Sequence, residues 1–298
     1  MYKPLLITRQ NRTTEMTAQI INGKKIAQKI VLNLKEKTQD LIASQKRRPC
    51  LAVVLVGKDP ASQVYVSHKR KTCEKIGYES RFYPLEEEVT QAQVEKLILE
   101  LNSAKDVDGI LVQLPLPKAL NQDSIINKII PYKDVDGLTA YNQGLLSQAK
   151  EIHAPCTPKG IIKLLDEVGY NLQGKIACVI GRSLLVGAPI CLLLRNKNAT
   201  VINVHSKTKD PTSLTTQADV LVVAAGVHHL VDEKWLKPGA LVIDVGIHRV
   251  EGKLSGDVDF NQACKKASYI TPVPGGVGPM TVACLMENTY HAYLQNNE

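Results

Sequence analysis

Two runs of alternating strand-like and helix-like segments, one on each side of an irregular stretch, predict an α/β fold of two domains. Three observations carry this reading. Continuous apolar runs, at 51–56 and again at 176–180, 200–204, 220–224 and 241–245, suit strands buried on both faces of a parallel sheet. Helix-like segments separate most of them, as crossovers between parallel strands require. The irregular stretch 131–155 interrupts the alternation and marks the boundary. A chain of 298 residues that is 44% hydrophobic can bury two ordinary cores.

The elements follow in order. From Gly23, the residues Ile26, Ile30, Val31, Leu34, Leu41 and Ile42 read as one face of a helix. After the strand 51–56, Asp59-Pro60 reads as an N-cap with proline in the first turn, and Gly77 as the C-cap. Residues 81–85 suit a strand, and Thr90 with Gln93 has capping-box spacing. A strand at 109–113 and a helix at 120–130 complete the first unit. In the second, Thr157-Pro158 opens a helix that ends near Gly169, and another helix follows the strand 176–180. A strand-like segment at 267–271 and a helix at 282–293 close the chain, the helix placed to pack back on the first domain. The division expected is 16–153 with 282–298 as one domain and 154–281 as the other. Residues 1–15 read as a detached, disordered extension. Arg9 and Arg12 among threonines give it a faint likeness to a transit peptide, and Met16 offers an alternative start.

The net charge of +8 raises nucleic-acid binding as a rival reading. Aromatic residues are only 4%, too few for a stacking platform, and a basic protein equally attracts a polyanionic small molecule. No stretch has the length of a membrane span. Seven scattered cysteines, with no Cys-x-x-Cys pair, point to a reducing, cytoplasmic compartment and away from a metal site.

Residues 272–281 hold three prolines and three glycines, a composition foreign to helix interiors and central strands. Such a loop is either an ordinary tight connection or a rigid wall of bare backbone against a flat ligand. In the second unit, Gly181-Arg182-Ser183 follows a strand and precedes a helix, where backbone N–H groups can hold a phosphate. The next strand ends in His205-Ser206-Lys207-Thr208-Lys209, with no carboxylate to hold a ribose 2′-hydroxyl. Ser206, Lys207 and Arg182 suit a 2′-phosphate, which favours NADP over NAD; the competing reading is a solvated basic turn.

In the first unit, Tyr65 and Lys69 share one helix face at i and i+4. A tyrosine ring can cover a flat ligand while the amine reaches its reacting atom. Proton transfer near neutral pH asks the amine to shed about three pKa units, roughly 4 kcal/mol. His68-Lys69-Arg70-Lys71 is equally a plain charge run. Gln113, at the end of a buried strand, shifts the balance, because a neutral amide orients an amine without favouring its charged form as a carboxylate would. One carboxylate of Asp134-Val135-Asp136-Gly137 could pair with two donors of a heterocycle, and Asp134 reads better as an Asx cap.

Taken together and in order, Tyr65-Val66-Ser67-His68-Lys69, Gln113-Leu114-Pro115-Leu116-Pro117, Lys133 to Gly137, Pro155-Cys156-Thr157-Pro158, Gly181-Arg182-Ser183 and Pro274 to Thr281 resemble the bifunctional methylenetetrahydrofolate dehydrogenase/cyclohydrolase family. The resemblance implies two α/β domains around a cleft, the second a Rossmann-like NADP-binding domain, and a homodimer joined through the cofactor domains. It implies oxidation of methylene- to methenyl-tetrahydrofolate with NADP, then hydrolysis to 10-formyl-tetrahydrofolate, with no metal. By carry-over Lys69 is the acid–base, Gln113 positions it, Tyr65 stacks on the folate and Asp136 grips the pterin edge. Val66, Ser67, His68, Val112, Leu114, Pro274, Gly275, Gly276, Val277 and Gly278 border the substrate. Gly181, Arg182, Ser183, Ser206 and Ile247 line the cofactor. A dehydrogenase without the hydrolase step is the alternative. Three places depart from the family pattern: Leu138-Thr139, Asn102-Ser103-Ala104, and Val227-His228-His229 on the cofactor side.

Overall fold

Each sequence unit builds its own parallel sheet. The computed structural model describes residues 18–297, so the extension read at 1–15 lies outside the described residues. Strand β1 (Gln19–Ile20) leads into helix α1 (Gly23–Ala43), which Asn22 caps by accepting from Lys25 N at 3.0 Å. Ile26, Ala27, Leu34 and Leu41 are buried along α1. Ile42, expected in the same stripe, is 49% exposed. At 3.6 residues per turn it lies about 160° around the axis from Ile26.

The first sheet has the order β3-β2-β4, with β2 (Cys50–Val56) buried throughout between β3 (Glu79–Leu85) and β4 (Gly109–Val112). Helix α2 (Pro60–Ile76) runs from the Asp59 cap to Gly77 in the left-handed conformation, φ 86°. Helix α3 (Gln91–Ser103) starts in the expected Thr90–Gln93 capping box. The helix expected at 120–130 shrinks to α4 (Gln122–Ile126). Asn127 ends it, donating from Nδ2 to Asp123 O and accepting Ala140 N at 2.7 Å, which turns the chain away. Helix α5 (Ala140–Ser147), inside the stretch read as irregular, is capped by Thr139.

The second unit runs α6 (Cys156–Glu167), β5 (Ile176–Ile180), α7 (Gly187–Asn196), β6 (Thr200–Val204), α8 (Pro211–Thr215) and β7 (Val220–Val223). A 3-10 turn (Glu233–Trp235), β8 (Leu241–Asp244), the hairpin β9 (His248–Val250) and β10 (Lys253–Ser255), α9 (Phe260–Ala263) and β11 (Tyr269–Ile270) complete it. The sheet order is β1-β11-β8-β7-β5-β6 with every pair parallel. The order reverses between β5 and β7, so the carboxyl ends of these strands open the crevice where such sheets take ligands. Strand β1, placed by the sequence in the first domain, instead hydrogen-bonds to the second sheet.

The last helix, α10 (Val277–Gln295), starts five residues before the expected 282, inside the proline–glycine run. Pro279 sits in its first turn, where a missing N–H leaves no intrahelical bond unmade. Val277, Met280 and Ala283 pack into the core of the second sheet with Ile161 and Leu165. Cys284, Leu285, Met286 and Ala292 pack into that of the first with Leu51, Val53 and Leu111. One helix thus ties the two sheets together, each fully buried aliphatic chain contributing ~1.5–3 kcal/mol.

Candidate active site

On α2, Ser62, Val66, Cys73 and Ile76 face inward and fix the helix over the sheet. This leaves Tyr65, 42% exposed, and half-buried Lys69 on an accessible face. Lys69 Nζ donates to Gln113 Oε1 at 2.9 Å. Gln113 is 8% exposed at the end of β4, its N–H on Val54 O and its own Nε2 on Leu114 O at 2.7 Å. The second bond fixes which way the amide points, so that its oxygen meets the amine. Lys69 has no carboxylate in ion-pair contact among the described residues.

Asp136 lies close enough to feel the Lys69 charge. Burial raises its carboxyl above the ordinary range, and the ammonium pulls it back. The buried Cys156 thiol is pushed well up by burial and by Asp136. Asp134 is the cap read from the sequence: its oxygens accept Leu138 N, Thr139 N and Asn142 Nδ2 at 3.1, 2.8 and 2.8 Å.

The other substrate-side positions divide. Val66 and Val112 are core residues at 2% exposure, Leu114 is half-buried and His68 exposed. Ser67 lines a separate cavity of about 470 Å³ with Arg70, Lys71 and Phe82, on which neither Tyr65 nor Lys69 opens. In the proline–glycine loop, Pro274 and Gly278 are exposed while Gly276 and Val277 are buried. Gly275, φ 103°, turns the loop, and its carbonyl accepts Lys24 N at 2.9 Å. A Cβ on Gly23 would lie 1.9 Å from Gly276 O, so the loop seats directly on the start of α1. Thr157 and Thr281 hydroxyls meet at 2.9 Å and clamp its far end to α6.

At the crevice of the second sheet, Gly181 has φ 115°, and a Cβ there would stand 2.1 Å from Ala224 O. A Cβ on Gly187 would collide with Gly181 O at 2.4 Å, so the turn from β5 into α7 has no room for a side chain at either glycine. Asn203 on β6 donates to Gly181 O at 2.8 Å and braces it. Arg182 and Ser183 are exposed, with Ser183 Oγ accepting Val186 N at 3.2 Å. Ser206 and Lys207 are exposed beyond β6, and the turn 205–209 carries no acid. Ile247 is 45% exposed beyond β8, and a Cβ on Gly278 would come within 3.9 Å of its Cδ1. The proline–glycine loop and the end of β8 are therefore neighbours. A close-packed glycine turn, the start of a ten-residue helix and exposed cationic and hydroxyl groups fit a phosphorylated dinucleotide.

Residues 21–136 match the catalytic domain, and residues 155–297 the NAD(P)-binding domain, of tetrahydrofolate dehydrogenase/cyclohydrolase. The chain belongs to the tetrahydrofolate dehydrogenase/cyclohydrolase family. The bifunctional protein FolD of Thermodesulfovibrio yellowstonii is 51% identical, over 93% of this chain and 97% of that one. The crystal structure of the bifunctional enzyme FolD from Campylobacter jejuni superposes with a TM-score of 0.91 at 48% identity, covering 93% of this chain and 99% of that one. FolD from Trypanosoma brucei, solved with NADP cofactor and an inhibitor, gives 0.91 at 38% identity, over 95% and 99%. Both domains of this dehydrogenase/cyclohydrolase family are present, and the chain is a bifunctional enzyme of that kind.

The residues that brace these positions carry little signal in the sequence. Asn203 signalled itself only as a polar residue in an apolar strand. Asp257 is 0% exposed and collects three hydrogen bonds. Its signal was the pair Gly246 and Gly256, at which a Cβ would strike Asp257 and Asp244.

Proposed function

We propose that Tyr65, Lys69, Gln113 and Asp136 hold a tetrahydrofolate one-carbon derivative against the dinucleotide. One cleft then oxidises methylene- to methenyl-tetrahydrofolate and hydrolyses the product to 10-formyl-tetrahydrofolate. The observation that carries this is the Lys69–Gln113 contact, an amine held by a neutral amide. Bound NADP supplies the hydride acceptor for the oxidation. Gly181, Arg182, Ser183, Ser206 and Ile247 are the groups to hold it, with Ser206 and Arg182 toward the 2′-phosphate.

For the hydrolysis, Tyr65 covers the flat substrate and Asp136 accepts from N–H groups at the pterin edge. Residues 274–278 close the other side. Water adds to the electrophilic methenyl carbon as Lys69, in its free-amine form, takes the water's proton. The ammonium returns that proton to the ring nitrogen as its bond to the carbon breaks. The new hydroxyl then loses its proton to solvent, leaving the formyl group and the free amine. Gln113 supports this cycle because its amide accepts from either form of the amine without locking in the charged one.

The domain division proposed is 16–153 with 282–298 for folate and 154–281 for NADP, with β1 lent to the second sheet. A homodimer through the NADP-binding domains is supported by the open edge of β6 and by Val250 and Leu254, exposed on the β9–β10 hairpin. Seven free cysteines suit a reducing cytoplasm. No helix among the described residues is long and apolar enough to cross a membrane.

The test is an absorbance assay of methylene-tetrahydrofolate with NADP, and separately with NAD, following reduced cofactor and methenyl product together. Cofactor reduction with little methenyl accumulation supports both steps. Methenyl accumulating beyond its spontaneous hydrolysis limits the enzyme to the dehydrogenase, and no reduction with either dinucleotide overturns the reading.

A further inference from the structure

The motif Val227-His228-His229, which departs from the family pattern, takes part in a polar cluster behind the dinucleotide crevice. The rings of His228 and His229 stack with centroids 3.8 Å apart, and His248 meets His228 edge-on at 5.5 Å. His228 and His229 both reach Ser255 Oγ through Nε2, at 3.1 and 2.9 Å. His248 Nε2 lies 2.7 Å from Asp257 Oδ1. A carboxylate can only accept, so Nε2 carries the hydrogen. Asp257 Oδ2 accepts the backbone N–H groups of Ala225 at 2.7 Å and Gly226 at 2.8 Å.

These bonds converge on the walls of the crevice. Ala225 and Gly226 follow β7, and the carbonyl before them, Ala224 O, closes on Gly181 so tightly that a Cβ there would sit 2.1 Å away. His248 directly follows Ile247 at the other wall. Asp244 fixes Asp257 in turn, accepting Gly246 N and Asp257 N at 3.0 Å and Val258 N at 3.1 Å. One buried carboxylate thus couples the loop after β7 to the loop after β8.

We infer that Asp257, oriented by His248, is a positioning residue for the dinucleotide, setting the spacing between the Ala225–Gly226 peptides and Ile247. It touches no substrate and acts through those loops. Removing its charge unties both walls and leaves the Lys69 side of the cleft alone. The inference rests on the NADP reading above.

The test reads two sites in the same samples. NADPH binding is titrated by its fluorescence, and methenyl-tetrahydrofolate hydrolysis, which is redox-neutral, is followed without dinucleotide. Asp257→Asn is expected to weaken NADPH binding tenfold or more with hydrolysis within about twofold of the parent. His248→Gln, which keeps an N–H for Asp257, is expected to bind like the parent, and His248→Leu several-fold more weakly. Unchanged NADPH affinity in Asp257→Asn, or binding and hydrolysis falling together, overturns the inference. Should Asp257→Asn fail to fold, equal affinities for the two His248 variants overturn it. Failure of the NADP reading shows separately, as a parent enzyme that binds no NADPH.

Discussion

Lys69 Nζ and Gln113 Oε1 stand 2.9 Å apart although 44 residues separate them in the chain. The contact exists because Lys69, midway along α2, reaches the carboxyl end of β4, where Gln113 follows Val112. It gives the site an amine with a fixed direction and a neutral partner. Lys69→Met is expected to lower hydrolysis by ~10²–10⁴-fold, the usual worth of a general acid–base, while NADPH affinity stays within twofold. Hydrolysis at the parent rate would remove Lys69 from the mechanism.

Gln113→Glu tests the neutrality of that partner. A carboxylate at 2.9 Å would hold the amine as ammonium, so hydrolysis near pH 7 should drop by at least ~10-fold. Hydrolysis at the parent rate would show that the amide serves only as a spacer.

Arg182 follows β5 and Ser206 stands in the acid-free turn after β6, both exposed. The double variant Arg182→Ala, Ser206→Ala should raise KM for NADP by ~10²–10⁴-fold and change KM for NAD little, since each of the two lost bonds to a charged phosphate is worth ~1.5–3 kcal/mol. A selectivity unchanged between the two dinucleotides would assign 2′-phosphate recognition to other groups.

Much of this arrangement was legible in the chain because it rests on local rules. The Asp59–Gly77 caps, the Thr90–Gln93 box and the apolar strands each follow from short-range chemistry. The absence of a carboxylate at 205–209 reads directly from the chain, and the Asp134 cap is found as expected. What escaped depends on distant partners. Strand β1 is two residues long and exists only because β11 lies beside it. The β9–β10 hairpin has too few residues for a period, and Thr139 hides the start of α5 in a stretch of turns. Asp257 looks like any loop aspartate until Ala225, Gly226 and His248 are brought to it from up to 32 residues away.

Asp244 makes stability depend on pH. Burial, reinforced by the Asp257 charge, lifts its carboxyl from 3.8 to about 6, against the pull of three backbone N–H groups. A carboxyl whose folded value exceeds its unfolded one favours folding most when both forms are protonated. That contribution is full below about pH 4 and is lost as pH rises through 6, a change of about 3 kcal/mol. Asp244→Asn cannot titrate. The difference in unfolding free energy, parent minus variant, should therefore fall by about that amount between pH 4 and 7.5 in urea melts. A pH-independent difference would place the ionisation elsewhere.

Two glycine-to-alanine changes should act in opposite directions. Gly160 lies on α6 where it crosses α10, and a Cβ there would meet Met280 Cβ at 2.8 Å. Neither atom can rotate away, because both are fixed to helix backbones, so the helices must part. Gly160→Ala should cost ~1–3 kcal/mol, as overpacking does, and should loosen the Thr157–Thr281 clamp on the proline–glycine loop. Gly144 sits inside α5 with nothing within 4 Å of a Cβ. Gly144→Ala should stabilise by ~0.5–1 kcal/mol, by reducing the freedom of the unfolded chain. Urea midpoints of the two variants should lie on opposite sides of the parent. Both midpoints rising would mean that backbone entropy, and not the closeness of α6 and α10, decides the effect at Gly160.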